Sequence, residues 1–549
     1  RYWFYQQQVF YSISSRLHLG AGQAQQQDQA QVQNKALSET LQVIFTQDAH
    51  KETAQPDWQM IAAANACLNR FSVITGGPGT GKTTTVTRLL AALISQQPTL
   101  RIALAAPTGK AAARLVESIL AAKTKLAQTF PLASKIPVTS FTLHRLLGWR
   151  PDGFSYNQKK TLPYDLVIVD EASMVDLPMM AQLMEALAAN TRLILLGDKD
   201  QLASVEAGSV LGDLCDSGVM VNGYHAHGLQ ADRSKQLEAL CGMEPGYLNE
   251  YIETNAPLMA NSLTQLRVSH RFTHDSGIGK LAAAVNAGQF SQVQQSFAQH
   301  DDIHCHTNLA APFSKDLTTQ TREAEAAWQQ QVINGYSQYL QAIEQGESPF
   351  QVLQLFNNFQ LLCALRQGSS GLQVLNDRVQ RLLQNRGLLS IDSPQGAGFN
   401  RSSENSRWYV GRPVMISRND YELNLFNGDI GIAMMVEGTG DNAHAKSTDK
   451  ELRVCFIADG KIRQILPTRL PTHETAFAMT VHKSQGSEFA DVALVLPDNH
   501  SPVISRELIY TAITRAKKHF SLYSNDEVLA AGVNSQIERA SGLRDLLFK

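Results

Sequence analysis

Four short apolar runs punctuate the first half of the chain, and each stops where glycine or polar residues begin. "FSVIT" (71–75), "RIALAAPT" (101–108), "LVIVDEAS" (166–173) and "RLILLGD" (192–198) are continuous rather than alternating, the pattern of strands buried on both faces. Helix-like segments lie between them. Strand–helix alternation predicts a parallel sheet, whose ligands sit at the carboxyl ends of the strands. A second α/β region is predicted from near 263 and resumes after 470. Between its parts, "GRPVMISRND", "GDIGIAMMV", "LRVCFIA" and "KIRQILP" alternate with the turn pairs Asn427-Gly428 and Asp459-Gly460. That predicts a small β-barrel or sheet inserted into the second α/β region.

The N-terminal stretch reads differently. "RYWFYQQQVFYSI" is aromatic-rich and fits part of a packed unit, whereas "GAGQAQQQDQAQVQNKA" (20–36) is Gln/Ala-rich and polar. The latter fits a mobile linker or a solvated helix, and the linker is favoured here. Because the chain opens on Arg1, an N-terminal portion is expected to precede it.

Composition changes this picture only at its edges. A chain of 549 residues has room for three or four domains. Its net charge of -2 removes overall basicity as a sign of nucleic-acid binding, so such a site must be a local basic channel. Cysteines 67, 215, 241, 305, 363 and 455 form no C-x-x-C pair, which predicts free thiols and the reducing cytosol. His304-Cys305-His306 matches no zinc spacing. No apolar run approaches the length of a membrane span, so a soluble, cytoplasmic protein with no membrane partner is expected.

The candidate chemistry sits at the ends of the apolar runs. Gly76-Gly77-Pro78-Gly79-Thr80-Gly81-Lys82-Thr83, with Thr84 after it, fits the P-loop pattern in the required strand–loop–helix setting. Glycines let backbone N–H groups approach phosphate oxygens, and the helix N-terminus favours negative charge. Lys82 offers a point charge for the β- and γ-phosphates of ATP, and the Thr83 hydroxyl suits Mg²⁺. Asp170, ending a buried strand, is a fitting Mg²⁺ partner, and Glu171 beside it can polarise the attacking water. Gln201, just past the last run, is placed either to bond the γ-phosphate or as part of a surface turn.

With these blocks in place, the chain resembles a family. Gly76–Thr83, "APTGKAAARL", "TLHRLLG", "VDEAS", "GDKDQL", "SHRF", "MTVHKSQGSEF" and "LIYTAITRAKKHFSLY" follow the order of superfamily 1 DNA helicase motifs. More narrowly, "EASMVDLPMM", "GDKDQLASVEAGSVLGDL", "DSGIGKLAAAVN" and "GRPVMISRND…LFNGDIGI" are similar to the RecD-like helicases, the alpha-subunit family of bacterial RecBCD (exonuclease V) enzymes. The resemblance implies two RecA-like motor domains, at 37–262 (with a short insertion near 149–163) and at 263–404 with 471–549. It implies an SH3-like β insertion at 405–470 and a partial N-terminal region with its linker at 1–36. Arg271 and Arg515 would come from the second α/β region and reach across a cleft to the γ-phosphate. Gln59 resembles the adenine-reading glutamine, and Glu488 a ribose-contacting residue. Thr108, Lys110, Thr142, His144, His482 and Lys483 resemble contacts to single-stranded DNA, where hydroxyls and lysines hold phosphates without reading sequence.

The function so implied is an ATP-dependent 5′→3′ translocase and helicase in double-strand break repair and recombination. Its partners would be RecB-like and RecC-like subunits in a heterotrimer, and single-stranded DNA from a duplex end. No nuclease constellation of clustered carboxylates stands out, so cutting would belong to a partner chain. A stand-alone RecD-like helicase and an ATP-switched scaffold subunit are the alternatives. A P-loop kinase has no need of "VHKSQGSE" or "YTAITRA".

Overall fold

The apolar runs become the centre of a six-stranded parallel sheet. In a computed structural model of the chain, these strands are β1 (Phe71–Gly76), β2 (Ile102–Ala106), β3 (Ser140–Thr142), β4 (Leu166–Val169), β5 (Arg192–Gly197) and β6 (Leu263–Leu266). Their order is β6-β1-β5-β4-β2-β3, with every pair parallel. The structure describes residues 2–21, 27–45, 56–204, 208–215, 220–221, 224–225, 228–253, 256–272, 275–309, 318–390, 408–420, 422–437, 450–458, 460–537 and 542–548.

Helices cover both faces of this sheet: α1 (Tyr2–Ala21), α2 (Gln27–Phe45), α3 (Trp58–Leu68), α4 (Lys82–Gln96), α5 (Gly109–Ala127), α6 (Leu143–Leu146) and α7 (Leu177–Ala186). Successive strand residues point to opposite faces. Ile74 therefore packs among Leu89, Leu90 and Leu41, whereas Phe71 and Val73 pack among Met180, Leu183, Val9 and Ile13. A strand covered on both faces needs no polar positions, which is why it reads as an unbroken apolar run.

The chain divides into two units, Arg1–Thr273 with Glu538–Lys549 and His274–Ile537. Three expectations about domain limits are corrected by this division. The stretch from 263 does not open the second domain: β6 pairs with β1 from Val73↔Leu263 to Gly76↔Leu266 and so completes the first sheet. Nor does residue 549 end the second domain, because Leu543 of the short helix Leu543–Leu547 is buried in the first unit's core beside α1. Residues 1–36 are not a separate region. Val9 and Ile13 are fully buried in the first unit's core, and Arg16 donates to the carbonyls of Ala188 (3.0 Å) and Thr191 (3.4 Å).

The linker reading of 20–36 is corrected as well. The chain is helical to Ala21 and again from Gln27, with residues 22–26 outside the described set. Gln and Ala are good helix formers. Leu37, Leu41 and Ile44 then supply an apolar stripe that α2 buries among Leu89 and Leu90 of α4.

The second unit holds β7 (Ile303–His306), β8 (Phe359–Cys363), β9 (Pro413–Ile416), β10 (Ile430–Glu437), β11 (Lys450–Ala458), β12 (Lys461–Ile465), β13 (His473–Thr475), β14 (Ala478–Thr480), β15 (Phe489–Val495) and β16 (Ala516–Tyr523). A five-stranded parallel sheet runs β7-β16-β15-β8-β14. An antiparallel sheet, β12-β11-β10-β9-β13, is inserted between β8 and β14. Its last strand lies beyond the expected limit at 470, since Val414↔Thr475 pairs β9 with β13. Asp459 and residues 405–407 of the expected insertion lie outside the described residues.

Alternation explains how the inserted sheet is anchored. Ala433, Val454 and Phe456 close its own small core. Their neighbours Ile432, Met434 and Cys455 face the other way, into the cluster with Tyr336 and Phe356. The same cluster encloses a polar clamp in which Gln360 Nε2 donates to the carbonyl of Phe477 (2.9 Å) and Tyr339 Oη to that of Gly411 (2.9 Å).

Candidate nucleotide and nucleic-acid sites

A buried strand runs into a helix through a loop that only glycine can form. Gly79 has φ 75° and Gly81, the N-cap of α4, has φ 84°, both in the left-handed region closed to most side chains. Space adds a second restriction. A Cβ on Gly79 would lie 2.3 Å from Arg271 Cβ, and one on Gly81 would lie 2.3 Å from Gln59 Nε2. The loop backbone is thus walled by two of the candidate site residues.

Hydrogen bonds fix that wall. Ser269 Oγ donates to the carbonyl of Pro78 (3.0 Å), and the His270 N–H donates to the carbonyl of Gly79 (2.8 Å). Gln59, held at the start of α3 by the Asp57 cap, donates from Nε2 to the carbonyl of Thr80 (3.1 Å). The same Nε2 lies 3.1 Å from His270 Nε2, and Gln59 Oε1 accepts from Arg88 (3.4 Å). Arg271 therefore belongs to the first unit. The expectation that it comes from the second α/β region is corrected, because β6 pairs with β1 and delivers residues 269–272 directly onto the loop.

The charges around Lys82 follow from where the strands end. Lys82 Nζ donates to the carbonyls of Gly76 (2.6 Å) and Gly77 (3.1 Å). Asp170 closes β4, and its Oδ1 accepts from the Glu171 N–H (2.9 Å). Desolvation, and then the charge of Glu171, push the Asp170 carboxyl up to about 6, while Lys82 and Arg114 pull against that rise. Glu171 adopts φ 52°, a conformation costly for a residue with a side chain. Asp198, beyond β5, is 1% exposed. Burial, then Asp200, raise its carboxyl above the ordinary range, opposed by Lys82.

Gln201 is buried, and its Nε2 donates to Asp198 Oδ2 (2.9 Å), so the carboxamide is oriented by a carboxylate. Thr83 and Thr84 occupy the first turn of α4, Thr83 half-buried and Thr84 exposed. These groups fit the phosphates of ATP and a divalent cation. Carboxyls that resist ionisation beside one ammonium are those that an added cation would ionise, and Thr83 and Asp170 would hold it.

The candidate DNA contacts of the first unit come together on two adjacent strand ends. Ala106 of β2 lies opposite Thr142 of β3. Thr108 caps α5 by accepting from the Ala111 N–H (3.2 Å), and Thr142 caps α6 by accepting from the Arg145 N–H (3.2 Å). Each hydroxyl spends its oxygen on the cap and keeps its proton to donate to an anion. Lys110 lies in the first turn of α5, and His144 on α6 is exposed with its ring 6.0 Å from Phe154.

In the second unit, Arg515 is 3% exposed and donates to the carbonyls of Thr511 and Ser487 (both 3.1 Å). Glu488, adjacent to Ser487, pairs with Lys517 at 3.3 Å. His482 and Lys483 lie on the turn Val481–Ser484 that follows β14, and Lys483 Nζ donates to Asn427 Oδ1 (2.6 Å). Several groups that complete these sites were not singled out from sequence. Asp198, Ser269 and His270 lie inside the quoted blocks "GDKDQL" and "SHRF", where attention fell on Gln201 and Arg271. Arg114 lies inside the quoted block "APTGKAAARL", where attention fell on Thr108 and Lys110, whereas Arg88 stands in no quoted block and reaches Gln59 only on folding.

Residues 59–207 match the AAA domain family, and residues 475–523 match the UvrD-like helicase C-terminal domain. The RecBCD enzyme subunit RecD of Haemophilus influenzae is 37% identical over 519 residues, covering 89% of this chain and 72% of that protein. The chain belongs to the RecD family. The subunit of the same name from Mycolicibacterium smegmatis is also 37% identical, over 498 residues, covering 88% of this chain and 74% of its own length. Among solved structures, the Pif1 helicase from Candida albicans aligns with 88% of this chain and 96% of its own, at 15% identity and a TM-score of 0.42. In this RecD-family chain, the first matched segment spans β1 to β5 of the first sheet and the second spans β14 to β16 of the second.

Proposed function

We propose that this chain is an ATP-driven motor that moves 5′→3′ along single-stranded DNA and unwinds duplexes. It would act as the alpha subunit of a RecBCD-like complex, beside RecB-like and RecC-like subunits, on strands entering from a duplex end during recombination and break repair. The observation that carries this reading is the P-loop stitched to residues 269–272, with Lys82 set among Asp170, Glu171 and Asp198. That arrangement binds a polyphosphate and hydrolyses it. The names of relatives support the reading: RecBCD enzyme subunit RecD for RecB-like and RecC-like partners, and ATP-dependent RecD2 DNA helicase for DNA as the track.

Loop N–H groups and Lys82 bind the phosphates, and Thr83 and Asp170 would hold a Mg²⁺ ion, which would supply charge neutralisation to them. Glu171 takes the proton of the attacking water, and Gln201, held by Asp198, orients the water or the γ-phosphate. Arg271 and Arg515 stabilise the charge that develops on the transferred group, a contribution of roughly 10³–10⁵ in rate for such arginines. Gln59 and Glu488 are the proposed base and ribose contacts.

Strand displacement on duplexes carrying either a 5′ or a 3′ single-stranded tail tests the reading. Displacement of the 5′-tailed duplex alone, dependent on ATP and abolished by Lys82→Ala, is the expected result. ATP-dependent displacement from the 3′ tail would overturn the polarity. A complex that keeps its full activity with Lys82→Ala would overturn the motor in favour of a scaffold.

A further inference from the structure

A cavity of about 620 Å³ opens in the second unit where β8 ends. It is bounded by residues 365–367, the start of the helix Leu372–Asn385, and 473–475 on the edge of the inserted sheet. In parallel sheets this end of the strands is where ligands are held. Arg366, with its side chain 61% exposed, donates to Glu474 Oε2 at 2.7 Å. The other oxygen of Glu474 is sealed from solvent and has no hydrogen-bond partner among the described residues. Lys483 is tied to Asn427, a turn residue of the same inserted sheet. Burial lowers the pKa of the Lys483 ammonium, Glu474 raises it, and Arg366 lowers it again, so the three groups feel one another's charge.

The ion pair is poorly suited to hold the inserted sheet in place. An exposed pair contributes little to stability, and Ile432, Met434 and Cys455 already bury that sheet in the unit's core. What the pair does is occupy a cation. Arg366 and the buried Arg412 both line this cavity, as do Glu474 and Asp377, and it is the exposed Arg366 that a carboxylate from the insertion satisfies. A backbone phosphate offers Arg366 a charge-assisted bond of the same kind as a carboxylate does, so exchanging one for the other is nearly balanced. A motor that must release each phosphate it passes needs such an exchange.

We propose that the inserted sheet sets how tightly the second motor sheet grips a nucleic-acid strand, with Glu474 competing against a backbone phosphate for Arg366. The proposal rests on the single-strand motor reading above. It adds Arg366 as a phosphate contact, and Glu474 as a positioning residue that acts through Arg366.

The test is titration of the full chain with an oligothymidylate at several salt concentrations, for wild type, Glu474→Gln, Glu474→Asp and Arg366→Gln/Glu474→Gln. Thermal unfolding of each variant verifies that it is folded. Glu474→Gln is expected to bind roughly three- to tenfold more tightly, with the log–log salt slope steeper by about 0.7, one more phosphate neutralised on a single strand. Glu474→Asp keeps the charge and the wild-type affinity, and adding Arg366→Gln removes the gain. A Glu474→Gln variant with wild-type affinity and slope, or a gain that survives Arg366→Gln, would overturn the proposal while leaving the motor reading intact. A wild-type chain that binds no oligothymidylate would sink the motor reading itself, and this proposal with it.

Discussion

Asp170 shows at the scale of one residue how the site is maintained against its own stability. Its carboxyl rises from an ordinary 3.8 to about 6 because the protein around the end of β4 desolvates it and Glu171 repels its charge. The folded chain therefore binds this proton more tightly than the unfolded chain does. Stability from Asp170 is complete below about pH 4 and is lost as pH rises past about 6. A shift near two units corresponds to about 3 kcal/mol at most, and partial exposure to solvent reduces it to about 1–2 kcal/mol. Asp170→Asn is accordingly expected to unfold at a higher temperature than wild type near pH 7.5, without nucleotide or Mg²⁺. The two should converge near pH 4, while ATP hydrolysis by the variant falls at least about a hundredfold. Thermal unfolding across that pH range decides it, and parallel curves for the two chains would show that Asp170 titrates as an ordinary carboxyl.

Among elements, the P-loop is restricted in its substitutions by both backbone conformation and space. Gly79→Ala combines a left-handed φ of 75° with a Cβ placed 2.3 Å from Arg271 Cβ, so either the loop or residues 269–272 must move. The expected cost is about 2–4 kcal/mol, with loss of nucleotide binding. Gly153→Ala, at φ 132° with nothing within 4 Å of the new Cβ, carries backbone strain alone and is expected to cost about 1–2 kcal/mol with ATP binding unchanged. Denaturant unfolding and nucleotide titration of the two variants separate crowding from strain. This loop was legible in the sequence, as were β1, β2, β4 and β5, because burial on both faces writes an unbroken apolar run. β6 was not, because its partner β1 is distant in sequence, and "LTQL" at 263–266 carries the polar positions of an edge strand. The Gln/Ala-rich stretch was misread for a different reason: composition marks it as polar, while the apolar stripe that docks α2 begins only at Leu37. In the site, motif positions were legible, whereas the contacts that orient them, Gln59 to His270 and Gln201 to Asp198, exist only after folding.

At the scale of the whole molecule, charge decides how the chain meets its track. Lys and Arg together number 48 against 50 Asp and Glu, so no net positive field reaches far into solution to draw in a polyanion. Locally, too, some cations near the candidate sites are matched: Lys199 with Asp200, Arg366 with Glu474, and Lys517 with Glu488. Phosphate contacts would then form at short range, after encounter, by exchange of partners. Association with single-stranded DNA is expected to change less than about threefold between roughly 50 and 200 mM salt, because electrostatic steering needs an unbalanced field. The loss of affinity with salt should instead appear as faster dissociation, with a slope near 0.7 for each phosphate contact on a single strand. Stopped-flow mixing at several ionic strengths measures both rates. An association rate that falls steeply with salt would mean that a concentrated basic channel, rather than matched pairs at the strand ends, first captures the DNA.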